Sequence, residues 1–276
     1  MHFSFLKAFH KAASDERKMV DKKALLKKME KGLKEGEFKM YLQFIVDSQT
    51  QKLASAEALS RWECEGELVP PGAYIDLMEE SGLIVQLDYY MFEKACAKLS
   101  AWTGSAFEDI ILSSNFSRVT ISQKDFVERI REIADKYAFD RSKLLLEITE
   151  DSMEQNLAVA THNMLKVKEF GFLIALDDIG SGYTSLIKLC EYPIDIVKID
   201  RSILLKAKEE RGKKLFWGII SLAHYLNLLV VCEGVETAEQ NTVATQGACD
   251  YIQGWYYSKA LPEQQAEAFA REYMGQ

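Results

Sequence analysis

Residues 172–178 read FLIALDD, five apolar residues from Phe172 to Leu176 followed by two carboxylates, Asp177 and Asp178. Such a run is a buried strand, and its abrupt end in charge places its last residues where a packed wall opens into a polar mouth. The same habit recurs outward from it, in "DIILSSNFS" (109–117), "KLLLEITE" (143–150), "DIVKID" (195–200), "LLVVCEGVE" (228–236) and "DYIQGW" (250–255). In a barrel of parallel strands the C-terminal strand ends share one face. Asn115, Glu147, Asp177, Asp178, Lys198, Asp200, Glu233 and Gln253 are therefore expected to converge on one pocket, and Glu57, in the strand-like "SAEALSRW" (55–62), to join them.

Strands are expected near 39–46, 53–61, 109–115, 143–149, 172–177, 194–199, 228–233 and 249–253. Helical patterns lie near 72–81, 86–101, 122–137, 153–170, 183–190, 207–226, 237–246 and 262–273. The alternation argues for βα units around a mainly parallel sheet, and eight strands suit a closed barrel better than an open sheet. The lysine-rich segment 21–36 carries Leu25, Leu26, Met29 and Leu33 at helical spacing and reads as an amphipathic entry helix. It is either a linker from a domain upstream or a helix docked on the barrel. The expected division is 1–37 for the entry segment and 38–276 for the barrel.

The bulk composition fits. The chain has 276 residues, 48% of them hydrophobic, enough for one barrel-sized domain, and a formal net charge of −8 that argues against a broad surface for DNA. The five cysteines fall singly, with no C-x-x-C pair, so a reducing cytoplasm is the expected compartment. Leu215 to Cys232 is apolar, yet His224 and Asn227 interrupt it, and a buried helix feeding a buried strand accounts for it better than a membrane span. No membrane insertion is expected.

Carboxylates crowded into one pocket repel one another, and bound cations resolve the conflict. The donors are oxygen atoms, and the four histidines are isolated, which favours Mg2+ or Mn2+ over a histidine- or thiolate-bound zinc. Adjacent aspartates suit a pair of ions that polarise a phosphoryl oxygen and activate a water. Lys198 adds a compact positive charge near the phosphate or that water. The loop "IGSGYTS" (179–185) reads equally as a phosphate cradle or a lid.

At this point the chain resembles a known family: "AEALSRW", "SSNFS", "LEITED", "LDDIGSGYTSL", "VKIDRS", "CEGVET" and "QGWYYSKAL" are similar, in order and spacing, to the successive motifs of EAL domains over residues 38–265. The resemblance implies an α/β (β/α)8 TIM-like barrel with one antiparallel strand. It also implies hydrolysis of cyclic di-GMP to linear pGpG by a metal-activated water, with two Mg2+ or Mn2+ ions per site. By the same likeness, Glu57, Asn115, Glu147 and Asp177 would hold the first ion and Asp178 the second. Lys198 and Glu233 would position or deprotonate the attacking water, with Gln253 near that water or a metal. Arg61 and Gln43 would contact substrate, Glu150 would steady the loop after Asp178, and Asp200 and Glu236 would support the site. A homodimer and an upstream sensory or GGDEF domain are further family expectations.

The chain departs from the family pattern at Phe44 (usually proline), Ile179 (usually phenylalanine), Ser181 (threonine) and Trp255 (often tyrosine), none of them a metal ligand. Two other functions are open to the residues alone. One is a receptor that binds cyclic di-GMP without cutting it. The other is a Schiff-base aldolase using Lys198, which the surrounding carboxylates oppose by raising the lysine pKa.

Overall fold

The structure, a computed structural model, describes residues 22–149, 157–180 and 188–275. The chain divides into two compact units, one of residues up to Lys39 plus Arg61–Leu87, the other of Met40–Ser60 and Asp88–Gln276.

In the smaller unit, helix α1 (residues 22–35) has Met29 and Leu33 buried, while Leu25 and Leu26 are half-buried. Strands β1 (Phe38–Asp47) and β2 (Leu53–Cys64) contribute residues to both units. The end of β2 turns back into β3 (Glu67–Val69), pairing Trp62 with Val69. Phe38 stacks on Trp62 at 5.6 Å, and Tyr74 meets both rings edge-on. The Trp62 indole N–H donates to Glu37 at 2.8 Å, so the ring is buried with its one polar atom satisfied. Helix α2 (Ile75–Ser81) buries Met78 and stops at Gly82 in the left-handed conformation.

The larger unit is a closed eight-stranded barrel. Around it run β1, β9 (Tyr251–Gln253), β8 (Leu229–Cys232), β7 (Ile196–Ile199), β6 (Leu173–Ile179), β5 (Leu144–Thr149), β4 (Ile111–Phe116) and β2, which pairs back to β1. From β2 through β9 neighbours are parallel, and β1 alone runs antiparallel to β9. The cause is local: residues 48–52 are too few for a crossover, and Asp47 closes the turn by accepting the N–H groups of Gln49 and Thr50. The short β10 (Leu261–Pro262) adds to β1. Between and after the strands lie α3 (Ile84–Trp102), α4 (Arg118–Ile121), α5 (Phe126–Ala134), α6 (Leu157–Glu169), α7 (Lys188–Glu191), α8 (Arg201–Lys206), α9 (Glu210–Tyr225), α10 (Ala238–Gln246) and α11 (Glu263–Met274).

The barrel interior is filled in two tiers. Ile45, Leu145, Ala175, Ile196 and Val231 pack together, with Tyr251 against them. Two residues beyond the plug positions of β5 to β9 stand Glu147, Asp177, Lys198, Glu233 and Gln253, because strand side chains alternate with period two. On antiparallel β1 the order reverses, and polar Gln43 precedes Ile45. An apolar plug thus forms the floor of a polar cup at the C-terminal strand ends.

All eight expected barrel strands are present, and each expected helix has an observed counterpart, although 153–156 and 183–187 lie outside the described residues. Leu215–Cys232 is α9 running into β8, and among the described residues no helix is long and apolar enough to cross a membrane. The sequence pattern did not reveal β3, β10, α4 or α8, which are too short for periodicity to register.

Candidate active site

Lys198 is the hub. Its side chain is 1% exposed, and its ammonium lies 2.7 Å from Glu147, 2.8 Å from Glu233, 3.4 Å from Asp177 and 3.5 Å from Glu57. Asn115 donates to Glu57 Oε1 at 2.8 Å, and Gln253 donates to Glu57 Oε2 at 2.6 Å. Gln253 also approaches Gln43 Oε1 at 3.3 Å, and Gln43 in turn donates to the Ser258 carbonyl at 3.0 Å.

Asp178 joins this ring through a backbone irregularity. The β6–β7 register slips by one residue between Leu176 and Ile179, and Asp178 takes a left-handed φ of +61°. In a regular strand two successive side chains point to opposite faces. The bulge re-aims the second one, so Asp177, Asp178 and Glu233 each offer a carboxylate oxygen within 4.8 Å of the others.

The charge balance in this cup is unfavourable without added cations. Burial works to raise the Glu57 carboxyl, but Lys198 and the donors Gln253 and Asn115 outweigh it and hold the group below its ordinary range. Glu147, buried beside Glu57, is pushed up to about 8. Burial, then the Asp177 and Asp200 charges, lift Asp178 to about 6, and burial also raises Asp177 and Glu233, the latter well above its usual value. Burial alone would lower Lys198, but the charges of Asp177, Glu147, Glu233 and Glu57 carry it well above the usual lysine range. In the metal-free chain protons do part of the neutralising that cations would otherwise do.

Two buried acceptors give the fit to a cation a separate basis. Glu147 Oε1 and Gln253 Oε1 have no hydrogen-bond partner among the described residues, a costly state for buried oxygen atoms. The Asp177, Asp178 and Glu233 oxygens, within 4.8 Å of one another, are the oxygen donors that hard divalent ions take.

Of the remaining predicted residues, Asp200 and Glu236 line a recess shared with Glu233 and Gln253. Asp200 caps α8 by accepting the Ser202 N–H at 2.9 Å. Glu236 forms an ion pair with Arg201 at 2.7 Å, and its N–H donates to Gln240. A recess of about 280 Å3 is lined by Gln43, Asp200, Arg201, Glu233, Glu236, Gln253 and Trp255, with Gly234 and Gly254. Arg61 lies four residues beyond Glu57 on β2, in the smaller unit, and is half-buried. Glu150 and residues 181–185 of the glycine loop lie outside the described residues. Of the histidines, His162 is exposed and His224 pairs with Asp250 at 2.8 Å, while His2 and His10 lie outside the described residues. Arg201 went unassigned in the sequence, where a helix-start arginine carries no distinguishing pattern. So did Asp88, a buried residue of α3 that accepts Ser117 N–H at 2.9 Å and Ser117 Oγ–H at 2.8 Å, fastening the chain two residues after Asn115.

Fold and site together define a (β/α)8 barrel whose C-terminal mouth holds a buried cluster of acids around one lysine. The family model described as the EAL domain matches residues 26–260, and the chain belongs to that family. It is 32% identical over 228 residues to the signaling protein YkoW of Bacillus subtilis, covering 82% of this chain and 28% of that protein. It is 29% identical over 247 residues to the cyclic di-GMP phosphodiesterase NbdA of Pseudomonas aeruginosa, covering 89% of this chain and 32% of that protein. A solved structure described as "PaMucR Phosphodiesterase, c-di-GMP complex" aligns with a TM-score of 0.82 at 28% identity, covering 88% of this chain and 99% of that one. The chain spans about a third of the length of the curated relatives it matches.

Proposed function

We propose that this chain hydrolyses cyclic di-GMP to linear pGpG in a reaction that requires Mg2+ or Mn2+. The observation that carries the reading is the convergence of Asp177, Asp178 and Glu233 oxygens within 4.8 Å, at the mouth of a barrel whose relatives include named cyclic di-GMP phosphodiesterases.

In this reading Glu57, Asn115, Glu147 and Asp177 hold one ion and Asp178 a second, with Glu233 and Gln253 adjoining. Bound ions would polarise a phosphoryl oxygen and make a water acidic enough to attack phosphorus. The chain does the rest. Lys198, pinned by carboxylates on several strands, keeps its proton and sets a fixed positive charge beside the reacting phosphate. The same protonation removes the free amine that a Schiff-base aldolase would need. Glu233, whose carboxylate lies 2.8 Å from the Lys198 ammonium and within 4.8 Å of the Asp177 and Asp178 oxygens, takes the proton of the attacking water. Gln43 and Arg61 contact substrate, Glu150 steadies the loop after Asp178, and Asp200 and Glu236 hold the rim.

We place the activity in the cytoplasm, where the described cysteines remain free thiols. Since the relatives are longer, a homodimeric output module joined at α1 to a sensory or GGDEF domain is part of the proposal.

The test is incubation of the purified chain with cyclic di-GMP and Mg2+ or Mn2+, with and without EDTA, resolving nucleotides by chromatography. Metal-dependent pGpG, lost in Glu57→Ala and Glu233→Ala, is the expected result. Binding without turnover would replace the enzyme by a receptor.

A further inference from the structure

Asn115 stands where its strand loses support on one side. The ladder between β4 and β2 ends at the Ala58–Ser114 pair, one residue short of Asn115, while the ladder with β5 runs on through Asn115–Glu147 to Phe116–Ile148. The Asn115 amide nitrogen is committed to Glu57 at 2.8 Å, so the atom this side chain can offer a cation is its carbonyl oxygen. Where that oxygen points depends on a stretch of backbone that the β2 ladder no longer holds.

Helix α3 supplies the missing support. Side chains alternate along a strand, so Phe116 faces away from the cup, and its ring meets that of Phe92 at 5.5 Å. Asp88, one helical turn before Phe92 and 6% exposed, holds the next residue of the chain. Its Oδ2 accepts the Ser117 N–H at 2.9 Å, the Ser117 hydroxyl at 2.8 Å and the Thr120 hydroxyl. Ser117 Oγ in turn accepts the Thr120 N–H at 3.3 Å and caps α4. A carboxylate is a strong acceptor for such donors, and three of them aimed at one oxygen fix the direction in which the chain leaves β4. With a packed ring directly after it and this anchor one residue further, the Asn115 backbone has little freedom to turn.

Resting on the reading above in which Asn115 holds an ion, we propose that Asp88 is a positioning residue for the metal site. It acts from α3, outside the strand ladder, by fastening Ser117 and so fixing the direction of the Asn115 carbonyl oxygen. Groups that orient a metal ligand in this way commonly govern metal affinity as strongly as a weak ligand does.

The experiment is a double-mutant cycle on Mn2+ affinity, measured by calorimetry on the full chain without nucleotide, with urea unfolding of each metal-free protein recorded beside it. Asp88→Ala should weaken Mn2+ binding roughly tenfold. In an Asn115→Ala background the same substitution should change affinity by less than about twofold, because the group it positions is gone. Asp88→Asn keeps the volume and one acceptor oxygen, and serves where the alanine variant fails to fold. It should show a smaller loss with the same dependence on Asn115. A role in folding alone would lower the urea midpoint and leave Mn2+ affinity unchanged. That result, or an equal loss of affinity with and without Asn115, would overturn the proposal. Hydrolysis of cyclic di-GMP is assayed separately. The expected cycle without turnover sinks the phosphodiesterase reading alone, turnover with Asp88→Ala binding Mn2+ as well as the unaltered chain sinks the positioning role alone, and no Mn2+ binding by the unaltered chain sinks both.

Discussion

Asp177 and Asp178, neighbours in the chain, present their carboxylates to one place, with Asp177 Oδ1 accepting the Asp178 N–H at 2.8 Å. The bulge in β6 and the left-handed backbone of Asp178 make this possible. Asn tolerates that backbone and β-branched residues do not. Asp178→Asn should therefore keep the thermal midpoint within a few degrees while weakening Mn2+ binding at least tenfold. Asp178→Val should lose metal binding and a further ~1–2 kcal/mol of stability, read by urea unfolding.

Lys198 sets one positive charge among the four carboxylates of the cup. Lys198→Met keeps the volume and removes the charge, leaving Glu147 and Glu233 without their nearest cation. The metal-free variant should unfold with about 3–5 kcal/mol less stability, the cost of breaking a buried ion pair. Excess Mn2+ should recover part of that, and activity should not return. An unchanged urea midpoint would show that the lysine is electrostatically idle.

Glu147 yields a pH dependence. Its folded value of about 8 stands above the ordinary 4.5, so the folded chain holds this proton more tightly than the unfolded chain does. The resulting stability is complete below 4.5, declines as pH rises and is gone above about 8. Asp178, at about 6, acts in the same sense. Metal-free protein should thus be less stable at pH 8 than at pH 5, and Glu147→Gln, which mimics the protonated acid, should flatten the slope.

Divalent ions should reverse that trend, because binding displaces those same protons. At a hundred times the dissociation constant an ion adds about 2.7 kcal/mol of stability. The gain in thermal midpoint on adding Mg2+ or Mn2+ should be larger at pH 8 than at pH 5, and EDTA should abolish it. A gain independent of pH would place the ion elsewhere.

The strands and the site ring were legible for one reason. From β5 to β9 a polar residue stands two positions beyond each plug residue, as Ala175 precedes Asp177 and Ile196 precedes Lys198. That period-two signal survives in sequence because burial on the barrel wall demands it. Short elements carry no such signal: α8 has six residues, β3 has three, and Arg201 at the start of α8 was invisible as a rim residue. The hydrogen bonds that Asp88 accepts from Ser117 join α3 to the turn after β4, a contact across 29 positions that no local pattern announces.

By itself the sequence determined the barrel, its eight strands and the set of acids at their ends, because periodicity and the abrupt change from apolar to charged residues are local properties of the chain. Only the tertiary structure decided that one ammonium would meet four carboxylates, that a bulge would turn Asp178 to the side of Asp177, and that Gly234 would leave room for Arg201. Those outcomes depend on distances of a few ångströms between strands far apart in the chain. Electrostatic coupling and steric clearance are set at that scale, and sequence spacing does not report it.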